Sequence, residues 1–123
     1  MSVWHPIVER VEEFSLDQIW VVSGLHNNSD INTIEAGWQV YPELYFDYQP
    51  RFFILWANDA YNRTKCYNLR CGGFIQPSRT ILIEGAISPT LTVRGPQTEL
   101  TIELWKIREF LLFCFIIYLN FNI

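Results

Sequence analysis

Glu35 is the residue whose type and setting first suggest chemistry. It lies in Thr33-Ile34-Glu35-Ala36-Gly37-Trp38-Gln39-Val40-Tyr41-Pro42, a clear strand pattern that holds a carboxylate. Side chains alternate along an extended segment, so Ile34, Ala36, Trp38 and Val40 share one face and Thr33, Glu35, Gly37 and Gln39 the other. Pattern alone makes the first face core and the second a polar, solvated surface. Gly37, small between two polar side chains, leaves room for a ligand or for another backbone to come close.

Other arrangements fare less well. Ser23, His26 and Asp30 crowd one loop at a spacing that does not form a catalytic triad, and no Gly-x-Ser-x-Gly elbow exists. No glycine-rich phosphate loop is present. Cys66 and Cys71 are separated by four residues in a polar loop, a spacing that a local disulfide can close. Two free buried thiols are the alternative, and Cys114 stands alone in an apolar run. Zinc needs four ligands at suitable spacing, which these two cysteines with distant His5 and His26 do not supply. We therefore expect no metal and no cofactor. Asn27-Asn28-Ser29 and Asn62-Arg63-Thr64 are acceptor triplets for glycosylation in turn-like stretches.

These residues must be positioned by a single domain, since 123 residues suffice for one real core and are few for two. Half the residues are hydrophobic and 16% aromatic, against 18% charged, a balance that favours a β-rich globular core over disorder. The net charge is −4 and the basic residues are scattered, which argues against a nucleic-acid partner.

The chain then divides into short strands punctuated by turn residues. Residues 4–14 read as a strand followed by a turn, or else as an entering segment, with the strand taken as the expectation, and residues 15–23 read as a mostly buried strand. The Glu35 segment follows, stopped at Pro42. Residues 51–58, apolar throughout their middle, suit a central strand covered on both faces. Further strands are expected at 74–76, 80–87, 91–94 and 98–105. Trp20, Trp38, Trp56 and Trp105 are expected in the core. No amphipathic helix is evident before residue 106, so the fold class is all-β, most simply an antiparallel β-sandwich.

The last segment differs in character. Residues 110–119 are apolar without alternation, and ten residues fall well short of the roughly 20 that cross a bilayer as a helix. A membrane anchor is disfavoured. As a strand this run has no polar face, and exposed it would invite aggregation. The first ten residues lack an apolar core of signal-peptide length.

Taken together, the blocks Phe14-Ser15-Leu16-Asp17-Gln18-Ile19-Trp20-Val21-Val22-Ser23-Gly24, the Glu35 segment through Tyr45, Asp59-Ala60-Tyr61, Cys66-Tyr67-Asn68-Leu69-Arg70-Cys71, Gly73-Phe74-Ile75-Gln76 and Gly85-Ala86-Ile87-Ser88-Pro89 resemble the plant neprosin family of glutamic peptidases, the DUF239 domain. The resemblance spans residues 4 to 106. It implies a secreted β-sandwich that cleaves peptides next to proline with two glutamates acting on a water molecule. Glu35 corresponds to the first of them. One carboxylate takes the proton of the attacking water while its protonated partner polarises the carbonyl or protonates the leaving amine.

In the family the second glutamate lies beyond the equivalent of Trp105, where this chain has no matching block. Glu84 stands where a small residue is expected and Glu103 lies on the last strand, but neither belongs to a catalytic block. The expected organisation is therefore residues 1–106 as the N-terminal portion of a peptidase domain and 107–123 as a divergent apolar tail, from a truncated or misjoined gene product. On this reading the chain is an inactive half-site for a proline-containing peptide, with Trp38, Gln39 and Tyr61 lining the groove. The alternative is a non-catalytic module that holds peptide or cell-wall glycan against the same three residues.

Overall fold

The computed structural model describes residues 1–24, 31–57, 65–71, 82–88, 90, 98–109 and 112–122, with side chains described up to residue 102, Ser23 apart. A four-stranded antiparallel sheet runs in the order β1 (Ser15–Ser23), β2 (Asn32–Val40), β3 (Arg51–Ala57) and β4 (Cys66–Tyr67). The fold is all-β and antiparallel.

Local sequence accounts for the strand limits. β1 and β2 are rich in β-branched and aromatic residues that favour a pleated surface. β1 runs out at Gly24, whose φ of 115° L side chains rarely adopt. β2 stops before Pro42, which opens a single helical turn, α1 (Pro42–Tyr45). Phe46 caps that turn in the left-handed region, its N–H donating to the Pro42 carbonyl. A further hydrogen bond, from Glu43 N–H to the Val11 carbonyl at 2.9 Å, ties α1 to the entering segment.

β3 is buried on both faces, as its continuous apolar run predicts: Phe52 and Ile54 on one side, Phe53 and Leu55 on the other. Its outer edge is shared. The Cys66 segment pairs with Leu55 and Trp56, while residues 84–87 meet residues 50–52 through Glu84 N–H to Phe52 O at 2.8 Å and Ile87 N–H to Pro50 O at 2.8 Å.

A second, two-stranded sheet joins β5 (Glu99–Glu109) to β6 (Leu112–Asn122) in continuous antiparallel register from Glu99↔Asn122 to Glu109↔Leu112. The chain start tethers it: Ser2 bridges Glu99, and Leu100 N–H donates to Met1 O at 2.8 Å. Leu100 thereby enters the core with Ala36, Trp38, Val40, Phe52 and Ile54, and Ile102 packs against that cluster. The core thus lies between one face of the four-stranded sheet and β5.

Four segments depart from expectation. Residues 15–23 form a strand but not a mostly buried one: no described side chain of β1 is buried, and Ile19, Trp20, Val21 and Val22 are exposed. Residues 4–14 are not a strand: Glu13 folds back on Arg10 and Glu9, accepting both backbone N–H groups, and this local turn outcompetes pairing. The described part of 80–87 is a turn with one isolated bridge, Arg51↔Ala86, because Glu84 sits at φ 67° and Gly85 N–H closes onto Leu82 O. The strand expected at 98–105 runs from Glu99 to Glu109, and the apolar segment that follows pairs with it as β6. The strands expected at 74–76 and 91–94 lie outside the described residues. No helix among the described residues is long and apolar enough to cross a membrane.

Candidate functional site

Strand register determines which side chains share a face. Trp20 and Leu55 are the cross-strand partners of Glu35, and Leu55 in turn faces Tyr67. Partners in an antiparallel ladder project to the same side. One face of the sheet therefore carries Gln18, Trp20 and Val22 from β1, Thr33, Glu35 and Gln39 from β2, Phe53 and Leu55 from β3, and Tyr67 from β4.

This face is not the solvated surface that pattern suggests. Glu35 is only 4% exposed, and Thr33 and Gln39 are buried as well. The cover over Gln39 and β3 comes from side chains remote in sequence. The Tyr67 ring stacks on Phe53 with centroids 6.0 Å apart and donates its hydroxyl to Gln39 Oε1 at 3.2 Å. Gln39 Nε2 donates to the Tyr45 hydroxyl at 2.8 Å, and Asn68 Nδ2 donates both to that hydroxyl at 3.2 Å and to Glu84 Oε1 at 2.9 Å. Arg51 lies 5.6 Å from the centre of the Tyr45 ring, held by Asp47 and by the Glu84 carbonyl at 2.6 Å. Arg70 approaches Glu84 Oε1 at 3.6 Å.

Electrostatics follow from this packing. Burial pushes the Tyr67 phenol above the ordinary tyrosine value; Tyr45 and, more weakly, Glu35 add to the rise, against the Gln39 hydrogen bond. Burial likewise raises Tyr45, opposed by its bonds from Gln39 and Asn68. Both phenols therefore keep their protons in neutral and acid solution. Glu35 thus belongs to a polar floor whose hydroxyls and amides hold one another in fixed orientations. Such a floor can hold and orient a polar group of a bound molecule.

Gly37 resolves the alternative posed by its small size. A Cβ there would meet the Asp17 carbonyl oxygen at 2.0 Å and the Gln18 Cα at 2.8 Å, so the space belongs to the β1 backbone. Trp38 lies on the opposite face, buried in the core, with Nε1 donating to Ser2 O at 2.9 Å. The sheet separates it from Glu35. Gln39 shares the Glu35 face but is fully buried with both amide ends engaged, which suits positioning more than direct contact. Tyr61, Asn27 and Asn62 lie outside the described residues. Cys66 and Cys71 form a disulfide with Cα atoms 5.8 Å apart. Among the described residues no three His, Cys, Asp or Glu side chains gather as metal ligands.

Sequence reasoning missed Tyr45, Tyr67 and Asn68, and it assigned Trp20 to the core. Trp20 is 56% exposed, because β1 has β2 as its one partner strand among the described residues and the cover described here lies over β2 and β3. The available signal was the pairing of residues 15–23 with the Glu35 strand, which sets Trp20 opposite Glu35 once the register is known.

Fold and site together define an all-β protein with a carboxylate set into the polar floor of an antiparallel sheet. The chain belongs to the Neprosin family, whose model matches residues 11–112.

Proposed function

We propose that this chain carries one carboxylate of a two-carboxylate peptidase site, with Glu35 as the group that takes the proton from the attacking water. The observation that carries the reading is the burial of Glu35, at 4% exposure, on a face furnished with phenols and amides rather than on a solvated surface. A carboxylate so placed on rigid strands keeps its geometry through a reaction. Resemblance to the plant neprosins supplies the substrate class, a peptide cleaved next to proline, and the expectation of an exported protein. The Cys66–Cys71 disulfide suits an oxidising compartment.

We read neither Glu84 nor Glu103 as the second member of the pair: the Glu84 carboxylate is engaged by Asn68 and Arg70, and neither residue belongs to a block that the resemblance marks as catalytic. The activity expected of the 123-residue chain is therefore peptide binding with little turnover.

Incubation of the purified chain at acid pH with a proline-containing peptide, beside Glu35→Gln, tests this. Binding without cleavage supports the half-site. Cleavage that disappears in Glu35→Gln shows the chain to be competent and Glu35 to be catalytic. Neither binding nor cleavage removes the reading.

A further inference from the structure

We propose that Trp20 forms an aromatic subsite beside Glu35, on which the ring of a substrate proline packs. The inference rests on the reading of Glu35 as a peptidase carboxylate and adds a specificity residue to it. Trp20 and Glu35 are direct cross-strand partners, so their Cβ atoms stand about 4.5–5.5 Å apart on one face. Their exposures differ sharply: the carboxylate is 4% exposed and the indole 56%. A molecule that lies on this face over the β1 side of Glu35 rests on the indole. Val22, two residues along β1 and 51% exposed, extends the same apolar strip.

The chemistry selects the occupant. An exposed indole offers a broad apolar face with negative π density. The pyrrolidine ring of proline is compact and has no backbone N–H, so burying it strands no donor. Proline-rich segments dock on aromatic surfaces for these reasons. On the core side of the sheet, Trp38 is buried and its Nε1 is already bonded to Ser2, so it cannot serve this role from where it stands.

The experiment uses the whole chain and two peptides, Gly-Gly-Pro-Gly-Gly and its Pro→Ala counterpart, with the assigned indole N–H resonances as reporters and calorimetry for affinity. The Trp20 indole signal should shift on titration while that of Trp38 stays in place. Trp20→Ala should weaken binding of the proline peptide about tenfold, with Trp20→Phe between it and wild type. The alanine peptide should bind about as weakly to wild type as the proline peptide does to Trp20→Ala. Circular dichroism of both variants should match wild type, since the indole is half exposed.

Peptide binding that is unchanged in Trp20→Ala, or a Trp20 signal that does not move, overturns the subsite and leaves the Glu35 reading standing. No binding by wild type overturns both. A Trp20 shift with cleavage that survives Glu35→Gln keeps the subsite and removes the catalytic role. A Trp20 shift that depends on chain concentration without peptide, and that added peptide does not alter, assigns the indole to contact between copies of the chain alone, and the subsite falls.

Discussion

Asn68 shows how much of this molecule depends on single side chains. It is fully buried at φ 52°, and its Oδ1 accepts the Ile54 N–H at 3.0 Å while its own N–H donates to Ile54 O at 2.9 Å. The side chain thus completes the β3 edge where a strand would otherwise pair. Removing it strands the buried Ile54 donor, a cost of about 1–3 kcal/mol. Asn68→Ala should pay that and also the left-handed strain of a Cβ without local polar compensation, about 1–2 kcal/mol more. Asn68→Gly should lose the hydrogen bonds and spare the strain. Chemical denaturation of both variants checks this: alanine should be the less stable. Equal losses would mean that the backbone conformation contributes nothing.

The same scale shows what the sequence made legible. Alternation placed Glu35 and Gln39 on one face and Trp38 on the other, because period 2 is a local property. Alternation says nothing of what covers a face. The cover over Gln39 comes from Tyr45, Tyr67 and Asn68, between 6 and 29 positions away in sequence, and no local rule brings them there. Gly37 was legible as a close approach, but the identity of the approaching group needed the β1 register.

Elements with strong local signals read well. β1 is bounded as its β-branched run and Gly24 suggest, and Pro42 ends β2. Residues 4–14 and 80–87 misled because side-chain hydrogen bonds and positive φ values override a loose apolar pattern. The segment between α1 and β3 owes its shape to charge. The Arg51 hydrogen bond holds the Asp47 carboxyl below its ordinary value, and the Gln49 N–H adds to this against burial. A depressed carboxyl pKa contributes stability that is complete above the unfolded value, near 3.9, and is lost as pH falls through the folded one. Asp47 is about a third exposed, so solvent screens the pair and the contribution is about 1 kcal/mol or less. Asp47→Asn should be destabilised by that amount at pH 7, and the gap to wild type should narrow as pH falls below the unfolded value and close as it passes the lowered folded one. A gap that has not narrowed at pH 2 in denaturation curves would assign the effect to packing and not to ionisation.

At the scale of the whole molecule the two faces of the sheet are unequally served. One packs on β5 through Leu100 and Ile102, while β1 stands at the margin with Ile19, Trp20, Val21 and Val22 all exposed. Four consecutive large apolar residues on a strand with one described partner invite edge-to-edge pairing, and natural sheets often guard such edges with lysine. Val21 pairs with Ile34 and so faces away from Glu35 and Trp20, which makes it the position for a test. Val21→Lys should leave stability within about 0.5 kcal/mol of wild type, as surface substitutions usually do. It should also leave proline-peptide binding unchanged, because the lysine projects from the other side of the sheet. Light scattering over a concentration series should show wild type gaining mass and the variant holding the monomer mass. If both remain monomeric at every concentration, the β1 margin does not drive association, and the exposure of Trp20 is then more simply understood through its position beside Glu35.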